Sequence, residues 1–358
     1  RCGADFKEHP EQLLEAGQQD VLRMELLPVR PDMFDPGGLA RVLRNYLCDS
    51  LEPARYELGA PRFRVTVDPA LATDACPRPA IACAVVRGLE LDTDQIKVVM
   101  KLQENLHWAM GRDRKHASIG VYDLDHVQGT ELSYRAVGPE ELRFVPLGLD
   151  PDDPAGALTP RQVLEQHPKG QAYARLLEGF ERYPLLADGG GGVLSMPPII
   201  NSEHTRVRLQ TRDVLIDVTG SGERLVEKAL NVLVTSLLEL HPGAAAEQVT
   251  IAYPDREAVT PDLSPQPVEL DPRWTARTIG VELSDADVRR HLQQMGHGTD
   301  QAGAAIRVEV PAYRNDIMHP IDLVEDVAIA YGYHNIVTRM VPTMTVGREH
   351  ESERAREV

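Results

Sequence analysis

Two groups of side chains in this sequence have the types and spacing to do chemistry. Asp217 and Thr219 lie two residues apart in 214–219, a run that reads as a strand, so both project from one strand face. A carboxylate beside a hydroxyl can orient an amine, a hydroxyl or a water. The same pair also suits a polar strand edge facing solvent. Asp322, Glu325 and Asp326 fall at i, i+3 and i+4 of a helix expected from Pro320 to Tyr331, with Asp316 six residues ahead of Asp322. Such carboxylates repel one another, and a helix N-terminus or a hard divalent cation on oxygen ligands would offset that. Spacing alone fits an acidic first turn on a solvated face better than a metal site. A third cluster, Arg112, Arg114, Lys115 and His116, reads as a phosphate contact or as a solvated basic turn.

The elements that must position these groups follow from periodicity and punctuation. Pro320 suits a first helical turn and Gly332 a C-terminal stop. Between them Leu323, Val324, Val327 and Tyr331 form an apolar stripe opposite the acids. Asp217 and Thr219 are expected on the second strand of a hairpin, with 205–210 pairing to 214–219 across Thr211-Arg212-Asp213. Pro197-Pro198 extends the backbone ahead of Ile199 and Ile200, which belong in a core. Further strands are expected at 62–67, 80–88, 118–122, 248–253 and 306–311, and helices at 93–110, 160–179 and 223–240. A helix after Gly37-Gly38 is expected to turn Leu39, Val42, Leu43, Tyr46 and Leu47 inward. Ser284 with Asp287 has the spacing of a capping box. The four glycines 189–192 lack the Lys-Ser/Thr and the helix of a phosphate loop and read as a hairpin turn. Residues 254–266 read as a Pro/Asp-rich linker.

At 358 residues the chain is long enough for two or three domains with ample core. Hydrophobic content of 42% is that of a globular protein, and no apolar run approaches the length of a membrane span. The net charge of -17 argues against a broad nucleic-acid surface, though not against a local basic strip. Cys2, Cys48, Cys76 and Cys83 form neither a Cys-x-x-Cys pair nor a zinc spacing, and read as reduced thiols of a cytosolic protein. The opening Arg1-Cys2 suggests a fragment.

The run 308–336 contains P-x-Y-R-x-D-I-x(5)-D-L-V-E-D-V-x(3)-Y-G-Y-x-N-I, which resembles a module near the middle of the phenylalanyl-tRNA synthetase beta subunit. Ser195-x-Pro-Pro-Ile-Ile-Asn201-Ser and Ile216-Asp217-x-Thr219-Gly resemble that family's editing-pocket signatures. Gln103, His107, Gly111-Arg112, Arg114-Lys115 and Ile119-Gly120-x-Tyr122-Asp123 resemble the archaeal and eukaryotic form of the same domain. The resemblance implies an α+β, multidomain chain. Its parts would be a connector at 1–61, a mixed α/β editing domain at 62–258 and a winged-helix-like, magnesium-binding module at 267–345. A tail at 346–358 would lead into a catalytic-like domain.

Ser195, Asn201, Asp217 and Thr219 would then line a pocket for a mischarged amino acid, with Leu185 or Leu186 as its apolar wall. Asp316, Asp322, Glu325 and Asp326 would hold a structural Mg2+, although the family usually has Glu where Asp326 stands. The implied function is that of a cytoplasmic beta subunit. It would pair with an alpha subunit that binds phenylalanine and ATP, in an (αβ)2 heterotetramer that charges tRNA(Phe). Editing is needed because an apolar pocket rejects a merely added hydroxyl by only about a hundredfold. No Walker-type loop, class II arginine motif or Ser-His-Asp spacing is visible, so aminoacylation and covalent acyl transfer are not expected of this chain. A free-standing trans-editing deacylase and a nucleic-acid-binding adaptor are the alternatives.

Overall fold

The computed structural model describes residues 24–47, 51–338 and 347–356. Cys2, Cys48 and the end of the expected 267–345 module lie outside them. A single helical turn at Pro31–Met33 leads into α1 (Pro36–Leu47). The chain then builds one large mixed sheet. Its first strands are β1 (Leu58–Val67) and β2 (Ala80–Arg87), followed by α2 (Thr93–Ala109), β3 (Ala117–Asp123) and β4 (Glu131–Val137). Asp92 caps α2 with Gln95 completing a capping box, which fixes where that helix starts. Two short helices, α3 (Pro160–Gln166) and α4 (Pro168–Tyr173), precede β5 (Tyr183–Ala187), β6 (Val193–Met196), β7 (Ile200–Asn201) and β8 (Val214–Gly220). Then come α5 (Glu223–Leu240), β9 (Ala245–Ala252) and β10 (Glu257–Thr260).

The sheet order is β3-β8-β2-β9-β1-β4-β5-β6-β7, with β10 on β9. β1 runs parallel to β4 and to β9, and the other neighbours are antiparallel. β2 and β8 are buried on both faces. Ala80, Ala82, Ala84 and Val86 of β2, with Val214, Ile216 and Val218 of β8, pack in the core that α5 fills with Val226, Leu230, Leu233 and Leu237. Each such aliphatic side chain contributes about 1.5–3 kcal/mol on burial. Alternation then puts Asp217 and Thr219 on the opposite face, with Ile81 and Cys83 beside them.

Several expectations change here. The 205–210 segment is not a strand, and β8 pairs instead with β2 and β3, which use both of its edges. Thr211 turns its hydroxyl to Asp123 rather than into a hairpin turn. The single helix expected at 160–179 breaks at His167, whose extended backbone precedes Pro168. The linker at 254–266 contains β10. The face of α1 is turned from the one expected, with Leu39 and Val42 only half-buried. Gly37, Gly38, Arg41 and Asn45 are buried, while Leu43, Tyr46 and Leu47 face outward. Gly37 allows close approach to α5, where a Cβ would press on Leu240 and the Ser236 carbonyl, and Gly38 makes room for the Asp32 carbonyl. Arg41 lays its guanidinium on the Tyr313 ring at 3.7 Å and donates to Tyr56 Oη at 2.9 Å, and Tyr56 donates to Glu239 at 2.7 Å.

The last part of the chain is a small α+β unit. β11 (Gln266–Leu270), α6 (Pro272–Ile279), α7 (Asp285–Gln294), β12 (Gly298–Ala302), β13 (Ala305–Val310) and α8 (Pro320–Tyr331) follow in order. Its antiparallel sheet runs β11-β13-β12 and packs Leu270, Ile306 and Val308 against Val288, Leu292, Leu323 and Val327 of the helices. Ser284 and Asp287 form the expected capping box. Among the described residues no helix is long and apolar enough to cross a membrane.

Candidate editing pocket

On the face of the large sheet away from α5, a cavity of about 240 Å³ opens between β3, β8, α2 and the segment 195–201. Such a volume lies below the range of drug-sized pockets and suits a single amino-acid side chain. Ser195 and Asn201, register partners on the paired strands β6 and β7, line it together with Asp217, although β8 lies near the other end of the sheet order. Residues 197–199 form the turn between β6 and β7, with Ile199 buried and Pro197 and Pro198 forming part of the cavity wall. Asn201 ties this hairpin to β3, at the other end of the sheet order, by donating to the Val121 carbonyl at 3.3 Å.

Asp217 is almost wholly buried, opposite Gly120 of β3 and Cys83 of β2. Burial pushes its carboxyl up to about 7, against the pull of a hydrogen bond from Tyr122 and of the Arg78 charge. Thr219 does not line the cavity. Its hydroxyl lies 3.2 Å from Ser118 Oγ and accepts from Arg78 Nε at 3.2 Å. Arg78 also donates to the Thr219 carbonyl at 2.7 Å and to Ser118 Oγ at 2.9 Å. Thr219 thus stands one layer behind the wall, locked to a buried guanidinium. Leu185 and Leu186 are fully buried in the cores and do not line this cavity, whose apolar wall comes from Met100, Leu147, Pro197, Pro198 and Ile199.

The opposite side of the cavity is charged. Arg112, Asp113 and Arg114 all have positive φ, a conformation side chains with a Cβ adopt at a cost of about 1–3 kcal/mol each. That left-handed turn aims Arg114 inward, where it donates to Glu104 at 2.6 Å and to the Ile199 carbonyl at 3.2 Å and stacks on Tyr173. His107, buried beside it, accepts from the Ile119 amide at 2.8 Å. Burial lowers its pKa and keeps the ring neutral. The His107 ring, with Nδ1 3.6 Å away, and the Arg114 charge hold the Glu104 carboxyl down at about 2 against its partial burial. The basic cluster is therefore divided, with Arg114 built into the cavity and Arg112 and Lys115 exposed. Sequence reasoning missed Arg78 and gave Tyr122 no role. Tyr122 Oη lies 2.7 Å from Ser195 Oγ and is also hydrogen-bonded to Asp217 Oδ1.

The expected magnesium site at Asp316, Asp322, Glu325 and Asp326 does not fit these side chains. Asp326 turns inward with Leu323 and Val327, where it meets Arg314 at 2.8 Å and His297 Nε2 at 2.7 Å. Asp316 is paired with the same guanidinium through both carboxylate oxygens, at 2.8 and 2.7 Å. Asp322 accepts from the amides of Met318 and His319, both at 2.7 Å, and so caps α8. Glu325 is exposed on its own. A buried arginine supplies the positive charge a cation would have brought. Among the described residues no three His, Cys, Asp or Glu side chains gather as a metal site.

The tRNA synthetase B5 domain family matches residues 268–333. The chain is 40% identical to the phenylalanine–tRNA ligase beta subunit of Methanothrix thermoacetophila, over 98% of this chain and 62% of that protein. It is 38% identical to the one from Archaeoglobus fulgidus, over 94% of this chain and 59% of that protein. The chain thus spans about three-fifths of the length of these relatives. Among solved structures, an N-terminal fragment of the phenylalanyl-tRNA synthetase beta-subunit from Pyrococcus horikoshii superposes with a TM-score of 0.79 at 38% identity. That match covers 86% of this chain and 85% of the fragment. Sequence and fold agree along nearly the whole chain: it belongs to the archaeal-type phenylalanyl-tRNA synthetase beta-subunit family.

Proposed function

We propose that the cavity between β3, β8 and the 195–201 segment hydrolyses the ester of tRNA(Phe) mischarged with tyrosine. The carrying observation is the convergence there of Ser195, Asn201 and a buried carboxyl, Asp217, that titrates near neutrality. A group with a pKa near the operating pH can accept a proton from water and return it to the leaving 3′ oxygen. Ser195 and Asn201 would hold the amino acid, and Thr219, fixed by Arg78, would position Asp217 from behind. Among the described residues no histidine is hydrogen-bonded to the Ser195 hydroxyl, so the reading invokes water as nucleophile rather than an acyl-enzyme. In the assembled enzyme this chain would pair with an alpha subunit that binds phenylalanine and ATP, as an (αβ)2 heterotetramer acting on tRNA(Phe). The reading assigns no step to magnesium.

The test is deacylation of purified tyrosyl-tRNA(Phe) and phenylalanyl-tRNA(Phe) by the chain and by its Asp217→Ala variant. Faster release of tyrosine than of phenylalanine, abolished in a folded variant, is expected. Equal rates for chain, variant and buffer would remove the proposal and favour the adaptor alternative.

A further inference from the structure

Tyr122 is fully buried at the floor of the cavity, and no apolar contact requires its hydroxyl. Two residues along β3 from Gly120, it folds back over that glycine towards β8, where Asp217 is the register partner of Gly120. A Cβ on Gly120 would overlap both the Tyr122 hydroxyl and Asp217 Oδ1. The contact therefore exists only because position 120 has no side chain. Ser195 reaches the same hydroxyl from β6, at 2.7 Å. The phenol has one proton, and an ionised carboxylate can only accept, so Tyr122 donates to Asp217 and receives the Ser195 hydroxyl as donor.

We propose that Tyr122 is the positioning residue of this cavity, a hydrogen-bond bridge that couples the Ser195 hydroxyl to the Asp217 carboxylate. Resting on the deacylase reading above, the inference assigns a role to a residue that need not touch the substrate. The bridge joins walls contributed by β6 and β8, at opposite ends of the sheet order, and so sets the width of the pocket at its reacting end. It also biases Asp217 towards the ionised form, because the tyrosine donates to the carboxylate. The other titratable groups coupled to Asp217 are Arg78, which favours the carboxylate, Cys83 on β2, a buried thiol held protonated, and Tyr134 on β4, a buried phenol held protonated. Glu104 and Arg114 line the far side of the cavity as an ion pair with the neutral His107 beside them, and Lys169 lies at its edge. None of these changes when the Tyr122 hydroxyl alone is removed.

Tyr122→Phe keeps the ring and deletes the bridge. Its test has two readouts on the folded protein. The first is the Asp217 titration, followed by NMR of carboxyl-labelled aspartate with Asp217→Asn identifying the resonance. The second is the pH profile of tyrosyl-tRNA(Phe) deacylation. The expected results are an Asp217 midpoint displaced to higher pH, a rate loss on the order of 10²-fold at neutral pH, and a profile moved in the alkaline direction. A merely structural tyrosine would lower the rate without moving the midpoint or the profile. A midpoint unmoved in a folded Tyr122→Phe variant overturns the bridge. If the wild-type chain leaves tyrosyl-tRNA(Phe) intact while the midpoint still moves, the deacylase reading falls and the bridge stands.

Discussion

Arg314 offers the sharpest quantitative test of how the small α+β unit is held together. Its guanidinium is 1% exposed and binds Asp316 and Asp326 at once, with a further contact to the Met295 carbonyl at 3.3 Å. Burial pushes Asp326 up, but Arg314 above all, with His297, holds its carboxyl down to about 2. Against an ordinary aspartate near 3.9, that difference corresponds to about 2–3 kcal/mol at neutral pH. Because the folded value lies below the unfolded one, this stabilisation is complete above about pH 4 and is lost as pH falls towards 2. Arg314→Met keeps the volume and leaves Asp326 buried without its cation, a change that costs about 3–5 kcal/mol.

Urea unfolding followed at Trp274, which packs on the core of that unit, measures the loss; Trp108→Phe removes the other tryptophan. Arg314→Met/Asp326→Asn should recover most of it, since the buried Asp326 charge is gone and Asp316, the carboxylate left without its arginine, is partly exposed to water. Magnesium provides the opposing outcome. A true site at a hundred times its dissociation constant would add about 2.7 kcal/mol. Millimolar Mg2+ is expected to leave the unfolding midpoint unmoved. A harmless Arg314→Met, or a clear stabilisation by Mg2+, would refute the arginine-centred account.

Two further outcomes follow from buried titrating groups. Asp217 is raised from its ordinary value to about 7, so the stability of the neutral carboxyl is complete below about pH 4 and lost as pH rises through 7. Asp217→Asn should therefore unfold later than wild type at pH 8, by on the order of a few kcal/mol, and about equally at pH 4, while deacylation is lost. Cys76 and Cys83 are wholly inaccessible, and burial pushes the Cys76 thiol up to about 12 and that of Cys83 well above its ordinary value. In a Cys2→Ser/Cys48→Ser background, a thiol reagent should label neither at pH 8 until denaturant is added. Rapid labelling of the folded protein would contradict the burial described here.

What could be read from the sequence was local, and what could not was set by partners distant in the chain. Pro320 and Gly332 carry the bounds of α8 within themselves, and the structure keeps both. The period of two in β8 likewise puts Asp217 and Thr219 on one face whatever the strand pairs with. Which strand that is depends on β2 and β3, more than ninety residues upstream, so the local hairpin seemed the natural choice and was not formed. The same logic explains the altered face of α1 and the one acid of α8 that turns inward while the apolar stripe beside it packs as expected. Asp326 reads as solvent-facing until Arg314 and His297 are beside it, and Arg41 reads as polar surface until Tyr313 supplies a ring to stack on.

A buried charge is affordable only where a second segment brings its counterpart, and no window of one helix contains that information. Gly120 is the instructive case for the pocket. A lone glycine inside a strand marks a place where another group approaches closely. Here the approaching groups are the Tyr122 hydroxyl two residues on and a carboxylate from a strand nearly a hundred residues away. Half of that contact was within reach of the sequence, in the Gly-x-Tyr spacing on one strand face. The other half, Asp217, entered only with the pairing of β3 to β8.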